Sequence, residues 1–290
     1  MPAPPDLVFD DDGVPVNGQT DGLLVTNTGW LTPILGPTPT GHSVWTPCGR
    51  QADIGGGRVI DYADFVLDPG HGGSETGAVG KGGLVEADLN LAVGLKIRDA
   101  LVGAGYSVVM TRQTDIRVPI ATRAEIAHAL DPVAFISIHF NAGTEEPSEI
   151  PGTEMYHQIE SADSKRLAGL LYEEVRSVLD QYSIGWVAIP DAGALFRPNR
   201  EGTDYYGVLR RPSPITSVLT EFAYLSNRAE EELVSQPDVQ DQLAQAVLAA
   251  VRRFLDTNDP GSGFITDPMF RGYGPSGAGG TGNCTDPVLE

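Results

Sequence analysis

From Asp64 onward short apolar runs alternate with amphipathic ones, and this alternation constrains the fold more than any other feature of the chain. Ala63–Leu67, Tyr106–Thr111, Ala134–Phe140, Thr153–Ile159 and Ile215–Phe222 read as strands; the third is apolar on both faces, as a strand in the middle of a covered sheet should be. Between them, Glu86–Val102 repeats Leu89, Val93, Ile97 and Leu101 every four residues and closes on Gly103, so it reads as a helix. Pro119–Leu130 is a second helix opened by its proline, Ser161–Gln181 a third with Leu167, Leu170, Leu171, Val175 and Val178 as its stripe, and Arg228–Leu255 the last. Residues 182–214, rich in Gly, Pro and Arg, read as an irregular loop. Strands alternating with helices predict an α/β fold: a twisted, largely parallel (mixed) sheet flanked by helices on both faces, in a single domain over residues 61–257.

The flanks have a different texture. Residues 1–60 are rich in Gly, Pro, Thr and Asp and are expected to be an arm, mostly loop, with Leu23-Leu24-Val25 and Trp30-Leu31 as a short strand or a segment lying on the main domain. Residues 258–290 form a Gly/Pro-rich tail expected to be disordered or loosely attached. A formal net charge of -20 argues against a nucleic-acid or anionic-membrane partner held by bulk electrostatics. No run of 18 apolar residues exists, so no membrane span is expected, and Met1–Asp6 has neither the basic nor the apolar part of a signal peptide. Cys48 and Cys284 lack metal-type spacing; they are either a disulfide clipping arm to tail, which would fit an oxidising compartment, or two unrelated thiols.

The chemistry-bearing residues collect at strand ends. The first strand breaks at Asp68-Pro69-Gly70 and delivers His71 between glycines, where open α/β sheets place their ligands. Glu86 opens the first helix, and His139 ends the third strand in Ser137-Ile138-His139-Phe140-Asn141. Two histidines and a glutamate leave a fourth tetrahedral position open, the pattern of catalytic zinc, which lowers the pKa of a water to roughly 7 and polarises a carbonyl. Glu221 ends an apolar strand, where a carboxylate is costly unless it has a partner or a task; general base and acid is the task that fits. Each residue alone has a plainer explanation: a helix-start carboxylate for Glu86, a hydrogen-bonded core histidine for His139, a salt bridge to Arg210 or Arg211 for Glu221. One site explains all four together. A phosphate loop over Gly70–Gly83 fails, because Gly80-Lys81 is preceded by Glu75 at the required glycine and followed by Gly82. Of the spare histidines, His128 is expected to be solvent-facing or capped on its helix, and His157, on a strand, could approach the site.

Asp68-Pro69-Gly70-His71-Gly72-Gly73, Gly77-Ala78-Val79-Gly80, Glu86-Ala87-Asp88-Leu89-Asn90, Ser137–Ala142 and Thr220–Asn227 resemble the zinc-dependent N-acetylmuramoyl-L-alanine amidases of the amidase-3 type, as do Thr111-Arg112 and Arg123. The resemblance covers about residues 62 to 256. It implies a peptidoglycan hydrolase that cuts the amide between the muramic acid lactyl group and L-alanine of the stem peptide. It assigns one Zn²⁺ per chain to His71, Glu86 and His139, and catalysis to Glu221. It further implies a peptidoglycan (muropeptide) partner, an extracytoplasmic, cell-wall or secreted location, and a role in daughter-cell separation, wall turnover or phage lysis. A monomer is expected, with a regulatory partner left open. Arg197, Arg210 and Arg211, with Asn141, are candidate substrate-binding residues, the arginines for stem-peptide carboxylates; a solvated loop is the alternative. The chain departs from the family at Ser74-Glu75-Thr76-Gly77, where Asp-Pro-Gly is frequent, and at Ala223-Tyr224, where Gly-Phe is usual; Thr144–Gly152 is too short for the inhibitory helix some members carry. Two other classes remain open: a zinc peptidase acting within the stem peptide, and a non-catalytic wall-binding or regulatory domain. The latter would be expected to lose a ligand or Glu221.

Overall fold

Apolar residues on both faces of a strand demand cover on both sides, and the fold supplies it. The computed structural model describes residues 20–189, 192–269 and 283–290. Five short strands come first: β1 (Leu23–Thr26), β2 (Leu31–Thr38), β3 (Gly41–Trp45), β4 (Gln51–Ile54) and β5 (Gly57–Ile60). They pair antiparallel in the order β4-β3-β2-β1-β5. Then follow β6 (Phe65–Pro69), α1 (Glu86–Gly103), β7 (Val108–Met110), α2 (Ile120–His128), β8 (Ala134–Asn141), β9 (Pro147–Ser148), β10 (Glu154–His157) and α3 (Ala162–Leu179). The chain continues with β11 (Trp186–Val187), β12 (Ala194–Leu195), α4 (Gly207–Arg210), β13 (Ser217–Tyr224), α5 (Arg228–Val234) and α6 (Pro237–Asp256).

The main sheet has the order β12-β10-β13-β8-β6-β7. Strands β13, β8, β6 and β7 are mutually parallel, and β10 runs against β13, so the sheet is mixed with a parallel centre, as expected. Alternate residues of each strand serve opposite faces. Phe65, Leu67, Ile136 and Ile138 pack with α1, α3 and α6 through Val93, Leu170 and Val247. Val66, Phe135, Tyr156 and Leu219 pack on the other face with Ile126 within α2 and Leu130 just beyond it, and with Leu209 of α4. The parallel strands point their C-terminal ends the same way, and the catalytic candidates stand at that edge.

Three expectations need correction. The arm over residues 1–60 is not mostly loop where it is described: residues 23–60 are the five-stranded sheet, with Leu24, Ile34, Val44 and Ile54 as a small core and Leu23 turned into the main domain. Pro33, Gly36 and Pro37 inside β2 mask the strand period in the sequence. The last helix is two, because Pro237 supplies no N–H and starts α6 afresh after α5 ends. The tail is attached where it is described. Arg166 donates to the carbonyls of Thr257 and Asp259, residues 263–265 hydrogen-bond Ala194 beside β12, and Met269 is buried. Cys48 and Cys284 form a disulfide, and beyond it Asp286 accepts from the Cys48 amide and pairs with Arg50. Residues 1–19, where a leader would be sought, and 270–282, the heart of the Gly-rich run, lie outside the described residues. Among the described residues no helix is long and apolar enough to cross a membrane.

Candidate active site

The loop after β6 is built around a buried ion pair. Asp68, fully buried, accepts from Thr111 Oγ1 at 2.6 Å, Arg123 Nη1 at 2.6 Å and Ser137 Oγ at 2.7 Å. Burial pushes its carboxyl up, but the Arg123 charge and the three hydrogen bonds outweigh burial and hold its pKa below the usual carboxylate value. The carbonyls that follow are held one by one. Pro69 accepts from Arg112 Nε and Arg123 Nη1, Gly70 from Arg112 Nη2, and His71 from Arg123 Nη2. Burial, then the neighbouring Arg123 charge, lowers the Arg112 pKa to about 10. This grip fixes His71 in a left-handed backbone conformation, φ 61°, which a residue with a Cβ adopts only when its surroundings impose it.

His71, Glu86 and His139 each offer one donor atom to a common point, all within 4.8 Å of one another. Glu86 Oε1 lies 3.2 Å from His71 Nε2 and 2.9 Å from His139 Nδ1, and its Oε2 accepts from the Ala78 amide at 2.8 Å. Burial opposes the charge on Glu86, yet the two imidazoles hold its carboxyl far below the normal range. Burial likewise opposes a charged His71, but Glu75 and Glu86 raise its pKa to about 9. Glu86 stands at the first position of α1 because the loop before it is pinned: Glu231 on α5 accepts from the amides of Gly82 and Leu84. Two glycines make the convergence sterically feasible. A Cβ on Gly70 would overlap the His139 ring, and one on Gly77, already at φ 66°, would lie 2.6 Å from His71 Cδ2.

Glu221 completes the row. On β13 it stands in parallel register with His139 on β8, so both side chains leave the same face of the sheet. Its partner on the other side, across β10, is Glu154. That fully buried carboxylate accepts from Asn141 Nδ2, Tyr156 Oη and Tyr224 Oη at 2.7–2.9 Å. Burial and the Glu221 charge both raise the Tyr206 pKa, which places that hydroxyl within reach of the Glu221 field. Arg197 stacks over the Tyr205 ring at 3.6 Å and sets Nη1 3.3 Å from Tyr206 Oη, which ties it to this corner. Arg210 spends its guanidinium on the Asp204 and Tyr205 carbonyls, not on Glu221. Arg211 is half-buried, its carbonyl 2.9 Å from His128 Nε2; that contact caps His128, which is not solvent-facing. His157 is buried beside Phe196 with Nδ1 on the Gln158 carbonyl, three residues from Glu154 and hence on the opposite strand face.

A sequence model described as N-acetylmuramoyl-L-alanine amidase matches residues 65–253, well over half of the chain. The chain belongs to that family. It is 27% identical over 231 residues to the N-acetylmuramoyl-L-alanine amidase AmiC of Neisseria meningitidis, covering 70% of this chain and 55% of that protein, so it spans about half of that relative. It is 28% identical to the germination-specific N-acetylmuramoyl-L-alanine amidase of Bacillus subtilis, over 70% of this chain and 83% of that one. Among solved structures it resembles amidase AmiC2 of Nostoc punctiforme with a TM-score of 0.55 and 31% identity, over 66% of this chain and 96% of the other. The five-stranded sheet lies outside the segment that matches the family.

The residues that position this amidase site were harder to read in sequence than its candidate ligands. Asp68 appears there only as part of a turn, and Arg112 and Arg123 enter only through the resemblance, yet they hold the His71 loop. Glu231 carries no local signature, since the Leu84 amide it holds lies 147 residues away, and one of the three donors to Glu154 lies 70 residues away.

Proposed function

We propose that the chain is a peptidoglycan hydrolase cleaving the amide between the N-acetylmuramic acid lactyl group and L-alanine. The observation that carries this is the convergence of His71, Glu86 and His139 at the sheet edge, with Glu221 in register beside His139, in a chain of the amidase family. Two imidazoles and one carboxylate are a donor set that suits Zn²⁺ and leaves a coordination position open. When bound, zinc supplies Lewis acidity, polarising the scissile carbonyl and easing deprotonation of water. His71 and His139 would serve as neutral ligands beside the Glu86 carboxylate, each with its metal-facing ring nitrogen free of a proton.

Glu221 takes the proton of the attacking water and returns it to the alanine nitrogen as the C–N bond breaks, leaving a free amine and a lactyl carboxylate. Arg197, rigidified by its stack on Tyr205, is suited to a stem-peptide carboxylate. Exposed Arg210 and half-buried Arg211 are further candidates for such carboxylates, and Asn141 contributes by fixing Glu154. The Cys48–Cys284 disulfide supports action in an oxidising, extracytoplasmic compartment. Family membership favours the amidase over a peptidase acting within the stem.

The test is zinc stoichiometry by elemental analysis together with turnover of Glu221→Gln. The expected result is one zinc per chain in both proteins and a rate 10²–10⁴-fold lower in the variant, the usual contribution of a general base. Absence of zinc from the active protein, or a fully active Glu221→Gln, would overturn the proposal.

A further inference from the structure

His71 is the ligand with the most strained backbone, and its second ring nitrogen is occupied. Nδ1 faces Glu75 Oε1 at 3.3 Å while Nε2 faces Glu86 Oε1 at 3.2 Å. Glu75 is itself largely buried, with 18% of its side chain exposed, and its other oxygen lies 3.6 Å from Arg117 Nη1. Arg117 belongs to a loop that is closely fitted to the His71 loop. Asp115 accepts from the Gly73 amide at 2.6 Å, and a Cβ on Gly73 would lie 2.6 Å from the Arg117 nitrogen. The tail presses on both loops from outside: Ser74 Oγ donates to the Asn283 carbonyl at 3.2 Å, and Cys284 Sγ sits 3.3 Å from the Arg117 carbonyl. The disulfide to Cys48 anchors that tail.

A carboxylate on the far nitrogen of a metal-binding imidazole fixes which nitrogen carries the proton and which way the ring faces. We propose that Glu75 is a positioning residue for the metal centre: it holds His71 as the Nδ1–H tautomer with Nε2 aimed at the metal, and Arg117 holds Glu75. This rests on the reading of His71, Glu86 and His139 as the metal site. Glu75 is outside the His71, Glu86 and His139 donor set and acts through the His71 ring. The role is read from this chain's own contacts, the Nδ1–Oε1 approach and the Arg117 pairing.

The test is zinc affinity, measured by competition with a chromophoric chelator, on the full-length, disulfide-intact protein and on Glu75→Ala, Glu75→Gln and Arg117→Met. Loss of a positioning partner of this kind costs 10–100-fold in metal affinity, and that is expected for Glu75→Ala. Glu75→Gln keeps an acceptor for Nδ1–H and is expected to retain much of the affinity. Arg117→Met, which leaves both Glu75 and His71 in place, is expected to show a smaller loss in the same direction. The unfolding temperature of each metal-free variant separates local from global damage. If wild type and Glu75→Ala bind zinc equally, or if Glu75→Gln and Glu75→Ala lose affinity equally with Arg117→Met unchanged, the positioning role is wrong while the metal site stands. If wild type itself binds no zinc, it is the metal-site reading that falls.

Discussion

Replacing Gly70 by alanine should disable the proposed metal centre without altering any of its proposed ligands. The Gly70 backbone is not left-handed, so alanine adds no backbone strain, and the effect is steric alone. The added Cβ would stand 2.7 Å from His139 Cδ2 and closer still to Cε1 and Nε2, whereas ordinary contact begins at 3.4 Å. Clearing Cδ2 alone needs a shift of about 0.7 Å, and clearing the whole ring needs on the order of 1 Å, against a tolerance of about 0.2 Å in metal–ligand distances. The ring cannot retreat freely, because Glu86 holds Nδ1 at 2.9 Å and β8 is paired on both sides. We expect zinc affinity to fall about 100-fold or more, while overpacking lowers the stability of the metal-free fold by only about 1–3 kcal/mol. Chelator competition and urea unfolding of the same samples measure the two effects. A Gly70→Ala protein with wild-type zinc affinity would refute the placement of His139 against this glycine and, with it, the geometry of the site.

Arg123→Met leaves the Asp68 charge buried and uncompensated, and should cost about 3–5 kcal/mol in urea unfolding at neutral pH. Because the folded Asp68 pKa is depressed, that stability is present above the ordinary carboxylate pKa and is lost as pH falls below it; the variant should lack this acid-dependent step, and an unchanged acid profile would contradict the pairing. Burial raises the Glu230 carboxyl to about 7 despite its bonds from the Val187 and Tyr224 amides, so the fold retains a proton that the unfolded chain releases near 4.5. Stability should therefore decline as pH rises from about 4.5 to about 7 and level off above; Glu230→Gln should flatten that decline, and an identical slope in the variant would exclude Glu230 as its source. Cys48→Ser removes a cross-link between residues 236 apart and should lower stability by about 2–5 kcal/mol, read as a lower urea midpoint than in the oxidised parent; equal midpoints would show that the tail contributes no cross-link.

The parallel core was legible because its strands are apolar on both faces and its helices keep a steady four-residue repeat; β6, β8, β13 and α1 fall within a few residues of where periodicity puts them. The small sheet was not, since β1, β4 and β5 are four residues long, β2 contains two prolines, and most of β5 is exposed, leaving almost no period to read. The split between α5 and α6 rests on a single proline within an otherwise continuous pattern. At the site, His71, Glu86 and His139 could be picked out because each stands at the edge of an element, where side chains of that type are conspicuous. Their supports could not, because Asp68, Arg112 and Arg123 look like turn or surface residues until the fold buries them against the Pro69–His71 carbonyls. Long-range partners such as Glu231 and the Cys284 tail are set by topology, which no local window contains.

The most direct test of the central claim is mass analysis of what the zinc-loaded protein releases from purified peptidoglycan. Hydrolysis at the bond assigned here yields stem peptides with a free L-alanine amino terminus and glycan strands with intact muramic acid carboxylates. Peptides beginning beyond L-alanine, or shortened glycans with their stems still attached, would mean that His71, Glu86, His139 and Glu221 serve a different reaction from the one their geometry and family membership support.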